Sequence, residues 1–66
     1  DREKASIYAE AGVGEYWLVL AEKGTIEIFT QPAEGKYGET RTLQRGDVAV
    51  SQALPELRVD VAGLLG

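Results

Sequence analysis

Glu15-Tyr16-Trp17-Leu18-Val19-Leu20 is an almost unbroken apolar run, rich in aromatic and branched side chains. Such a run reads as a strand covered on both faces, which requires other elements packed above and below it. Only 66 residues are available to supply them, room for one small domain or a piece of a larger one and not for two independent cores. At 44% apolar and 27% charged, the chain lies away from the low-hydrophobicity, high-charge range of disorder and is expected to fold. A chain of this size buries only about 60% of its unfolded surface. Cysteine and histidine are absent, so neither a disulfide nor zinc staples so small a core. Marginal stability, with a start at Asp1 in mid-pattern, leads to the expectation that the 66 residues are a portion of a longer protein.

The elements on either side of the run follow from local signals. Asp1 to Ala11 reads as a helix, with Asp1 as N-cap, Glu3 near the positive end of the dipole and Gly12 as the left-handed stop. Val13 completes a Schellman-type cap. After the apolar run, Glu22-Lys23-Gly24 supplies a turn, and Thr25 to Thr30 alternates with period two, so the pair is expected to form a hairpin. Gln31 to Lys36, with Pro32 and Gly35, is expected to be a loop. Tyr37 to Leu43 follows as a polar edge strand weakened by Gly38. Arg45-Gly46-Asp47 turns into a short Val48–Val50 strand, Ser51 to Pro55 connects, Leu57 to Val61 alternates again, and Ala62 to Leu65 closes with a helical turn. The fold class expected is α+β: one N-terminal helix, a buried strand, then antiparallel strands.

Composition excludes several kinds of chemistry. Without histidine or cysteine there is no imidazole base, no thiol nucleophile and no ordinary transition-metal site, which leaves carboxylates as the ligands for a hard cation. The net charge is −4, so no stretch attracts nucleic acid by itself. No apolar run approaches the roughly 20 residues that cross a bilayer, and the start lacks a signal-peptide layout, so a cytoplasmic, non-membrane protein is expected. Trp17 reads as core. Arg45-Gly46-Asp47 matches an adhesion tripeptide but is ordinary turn chemistry. Glu22, Glu27, Glu34 and Glu39 have no ligand-loop spacing and read as solvated faces and edge-strand gatekeepers.

One residue departs from the pattern. On a helical wheel Ala5, Ile7, Tyr8, Ala11 and Gly12 share an arc, Arg2, Glu3, Ser6 and Glu10 lie opposite, and Lys4 falls in the middle of the apolar side. An ammonium facing a core needs an anionic partner, and Tyr8, four residues on, shares its face. Two readings stand at this point. Either Lys4 and Tyr8 reach toward an anionic site, or Lys4 lays its stem along the core and lifts its amine into water.

Taken together, Asp1-x-x-Lys4-x-x-x-Tyr8, Ala11-Gly12-Val13 and Glu15-Tyr16-Trp17-Leu18-Val19 resemble the C-terminal half of the Uma2 family of restriction endonucleases, within the PD-(D/E)XK nuclease superfamily. The later hairpin, the Gly-Asp turn and Leu54-Pro55-x-Leu57-x-Val59 are similar too, so the likeness spans essentially the whole chain. The resemblance implies a bacterial protein with a mixed sheet flanked by helices, and residues 1–66 as the C-terminal portion of a single endonuclease-like domain. It implies magnesium-dependent hydrolysis of DNA, with carboxylate ligands on strands upstream of Asp1 and no metal ligand in these residues. Lys4 then positions water or offsets negative charge, Tyr8 orients the site, and Gly12, Tyr16 and Trp17 are structural. A homodimer is implied as well. Family members commonly carry Asp where this chain has Leu20 and Pro where it has Gly14. By itself the segment is expected to cut nothing. The alternative is a noncatalytic β-rich interaction module or a degenerate relative of the nuclease.

Overall fold

The computed structural model describes residues 2–66, with side chains from residue 4 onward. The N-cap expected at Asp1 and the side chain of Glu3 lie outside these described residues. The element order is α1 (Arg2–Glu10), β1 (Glu15–Leu20), β2 (Thr25–Ala33), β3 (Lys36–Gln44), β4 (Val48–Val50), β5 (Arg58–Asp60) and α2 (Val61–Leu65). Among the described residues this is an α+β arrangement with antiparallel strand pairs, as expected for the segment.

β1, β2 and β3 form one sheet in that spatial order, and β4 pairs with β5 in a second. The Ala21–Gly24 turn pairs Tyr16 with Phe29 and Trp17 with Ile28. It closes through bonds from Lys23 N–H to the Leu20 carbonyl and from Gly24 N–H to the Ala21 carbonyl, with Gly24 at φ 68°. Because β3 folds back on the other side of β2, the central place goes to β2. The run expected to be covered on both faces, Glu15–Leu20, is β1 and not the central strand. Among the described residues β1 pairs with β2 alone and lies at an edge, and its residues are half-buried or, at Val19, exposed.

The loop expected over Gln31–Lys36 is also corrected. β2 runs on through Pro32 to Ala33, and β3 resumes at Lys36. Only Glu34 and Gly35 turn the chain, both at positive φ, 54° and 76°, as a two-residue type I′ hairpin requires. Pro32 is tolerated because β1 pairs only as far as Thr30, so no ladder needs its missing N–H on that side. Gly38, expected only to weaken β3, has a positive task. Gln31 is left-handed at φ 59°, and a Cβ at Gly38 would stand 3.2 Å from the Gln31 carbonyl oxygen. The hairpin tip rests against α1, since a Cβ at Gly35 would meet Glu10 Cγ at 3.9 Å.

The two faces of the sheet are covered differently. On one, Ile26 and Ile28 are fully buried against Ala49 and Val61, with Trp17, Leu43 and Leu65 packed around them. Each isoleucine contributes about 1.5–3 kcal/mol of burial. The β4–β5 pair and α2 form this layer, tied in by Val61 N–H to the Asp47 carbonyl at 3.1 Å and by Asp47 Oδ2 accepting from Gln44 N–H at 2.8 Å. The last expected strand is shorter than Leu57–Val61: it spans Arg58–Asp60, and Val61 begins α2. The other face carries Phe29 and lies beneath α1. Glu27, expected to be solvated, is buried at 8% exposure, because the alternation in β2 turns it toward the covered second face rather than to water.

Candidate functional site

α1 ends as its sequence requires. Gly12 at φ 81° adopts the left-handed conformation, Gly12 N–H reaches the Ala9 carbonyl at 3.1 Å, and Val13 N–H reaches the Tyr8 carbonyl at 2.9 Å. These two bonds make the Schellman motif. Just before this cap, the Tyr8 ring meets Tyr16 edge-on at 4.9 Å between centroids. Tyr16 stacks on Phe29 at 5.5 Å, and Phe29 leans on Tyr37 at 5.8 Å. A row of four aromatic rings thus runs from α1 across β1 and β2 to β3, and each offset or edge contact adds about 0.5–1.5 kcal/mol beyond simple burial.

The helix seats itself on Ala5 and Ala9, both buried, with Tyr8 half-buried, while Lys4 and Ala11 are exposed and Ile7 is 63% exposed. The core-facing arc is therefore not the one centred on Lys4. At about 100° per residue, it lies roughly a third of a turn round, because two alanines allow a closer approach to the sheet than Ile7 does. Ser6 lines a cleft of about 200 Å³ with Phe29, Lys36, Tyr37 and Thr40, which marks the side of α1 nearer β3. Tyr8 touches Tyr16 and marks the side nearer β1. Lys4 and then Ala11 continue round past Tyr8, and Ile7 lies opposite the alanine seat, so the lysine is on the side of α1 nearer β1.

Tyr37 reaches back from β3 and donates its hydroxyl to the Val13 carbonyl at 2.7 Å. Burial, with the neighbouring Tyr16 in addition, pushes its phenol above the ordinary tyrosine range. Glu15, at the start of β1, makes a second long-range tie. Its carboxylate accepts from Ser51 Oγ at 2.5 Å, Gln52 N–H at 2.9 Å and Ala53 N–H at 3.4 Å. Ser51 Oγ in turn accepts from Leu54 N–H at 2.9 Å. Partial burial raises the Glu15 pKa, but the bonds from Ser51, Gln52, the Trp17 side chain and Ala53 outweigh it and hold the carboxyl below the ordinary range. Neither Glu15 nor Tyr37 stood out in the sequence. The available signal was hairpin arithmetic, since a turn centred on Glu22–Lys23 already pairs Tyr16 with Phe29.

Of the residues expected to matter, Tyr8, Gly12 and Tyr16 are brought together at the α1–β1 corner. Trp17 packs on the opposite face against the isoleucine cluster. Among the described residues no three acidic side chains converge to hold a metal ion. No described helix is long and apolar enough to cross a membrane.

A family model described as Uma2, "Putative restriction endonuclease", matches residues 1–62. No curated protein and no solved structure matches the chain.

Proposed function

The chain belongs to the Uma2 family, and on that premise we propose that it is the C-terminal portion of a metal-dependent endonuclease acting on DNA in the bacterial cytoplasm. The observation carrying this reading is that β1, which among the described residues pairs with β2 alone, has an apolar edge, and that Lys4 lies on the Tyr8 side of α1, the side that touches β1. An edge without charges from Tyr16 to Leu20 is a template for further strands, and strands added there stand beside Lys4. Magnesium, which polarises phosphate oxygens and activates water when bound, is held in this reading by carboxylates outside these residues. Lys4 contributes a fixed positive charge that offsets negative charge developing on the phosphate. Tyr8, braced by Tyr16, which itself stacks on Phe29, limits where that part of α1 can sit.

The test is cleavage of supercoiled plasmid in magnesium by the intact protein that contains this segment, wild type against Lys4→Ala. A loss of about a hundredfold or more in the variant is expected, and the isolated 66 residues are expected to leave the plasmid intact. Equal cutting by wild type and Lys4→Ala removes Lys4 from the mechanism. Failure of the intact wild type to cut leaves the interaction module as the reading.

A further inference from the structure

The joint between α1 and β1 contains two glycines. Val13 stands between Gly12 and Gly14, and neither glycine has any atom within 4 Å of where a Cβ would be. On the helix, Ala5 and Ala9 present methyl groups to the sheet and Tyr8 meets Tyr16 edge-on. With two glycines in the joint, the tilt of this nine-residue helix depends on what holds the joint as well as on its seat. The Tyr37 hydroxyl bonds to the carbonyl of Val13, the residue at the middle of that joint, from 24 positions further along the chain, and its ring is held against Phe29.

We infer that Tyr37 is a positioning residue: its hydroxyl pins the Gly12–Gly14 joint and thereby fixes the tilt of α1, and with it the place of Lys4. What this does for catalysis rests on the nuclease reading above; the pinning does not. Lys4 precedes Val13 by nine residues, about 13 Å of helix at 1.5 Å per residue. Over that lever a tilt of about 5° moves Lys4 by about 1 Å, a displacement able to cost on the order of a hundredfold in rate.

Two measurements test the inference. The chain has no cysteine of its own, so spin labels at Ile7→Cys and Glu22→Cys, both exposed sites, report the distance from α1 to the β1–β2 turn. In Tyr37→Phe, which keeps the ring, that distribution is expected to broaden by about 1 Å or more; an unchanged distribution overturns the pinning. In the intact protein, Tyr37→Phe is expected to lower kcat by about tenfold or more at unchanged KM. Adding Gly14→Ala, at a position with open space and no left-handed φ, should restore part of the loss by stiffening the joint. Loss of cutting in Lys4→Ala with wild-type kcat in Tyr37→Phe overturns the positioning role and leaves the nuclease reading standing. Broadened distributions in a protein that cuts nothing keep the pinning and remove the nuclease.

Discussion

Glu15→Ala removes the tie between the start of β1 and the turn that begins at Ser51. The carboxylate holds two close hydrogen bonds, to Ser51 Oγ and Gln52 N–H, and a longer one to Ala53 N–H. A bond to a charged group is worth about 1.5–3 kcal/mol when well sheltered, and a buried donor left without its acceptor costs about 1–3 kcal/mol. Ser51 is buried and Glu15 half-buried, so solvent shields part of this, the two terms overlap, and a loss of about 2 kcal/mol is expected. A domain of this size has a stability of roughly 3–10 kcal/mol, and each kcal/mol shifts the midpoint by about 4–8 °C. Thermal melting followed by circular dichroism should therefore place Glu15→Ala about 8–16 °C below wild type. The pH dependence gives an independent check. The folded pKa of Glu15 lies below its unfolded value, so this group's stabilisation is complete above the unfolded pKa and disappears as pH falls through the folded one. The gap between wild type and Glu15→Gln should hold at neutral pH and close in acid. A Glu15→Ala midpoint equal to that of Glu22→Ala, a control in the exposed turn, would refute the reasoning, as would a gap that widens in acid.

Three further outcomes follow from the backbone and from Tyr37. Gly38→Ala should lower stability by about 1–3 kcal/mol in urea denaturation, because its Cβ would press on the Gln31 carbonyl at 3.2 Å. Gly12→Ala should cost about 1–2 kcal/mol through its left-handed φ, whereas Gly14→Ala, free of that constraint, should be neutral or slightly stabilising in the same assay. In a spectrophotometric titration, the difference between wild type and Tyr37→Phe should isolate a phenol ionising above the ordinary tyrosine range; a difference curve centred at or below that range contradicts the burial assigned to Tyr37.

Local signals were the legible part of this fold. Gly12-Val13 specified its cap because a Schellman motif needs only neighbouring residues, and Glu22-Lys23-Gly24 specified the first hairpin for the same reason. Pro32 misled because proline ordinarily breaks a ladder, yet here β2 outruns β1 and no partner needs the missing donor. The helical wheel misled because it weighted Ile7 and Ala11 by apolarity, while the sheet selected the smallest side chains, Ala5 and Ala9. Glu27 looked solvated because period-two alternation marks one face as polar without saying that this face is covered. Glu15 and Ser51 are 36 positions apart, so only the folded chain brings them together. For Lys4 and Tyr8, periodicity left two readings open and family resemblance suggested a role, whereas the structure contributes their location.

The two β-hairpin turns differ in what they would accept from an engineer. Glu34-Gly35 abuts Glu10, so an insertion at that tip would pry the helix off its alanine seat. The Glu22–Gly24 turn has open space around Gly24. An epitope tag or a fluorescent reporter spliced between Glu22 and Lys23 would cost the two backbone bonds that close this turn but leave the helix seat untouched, making this bend the better attachment point for following the protein in a cell.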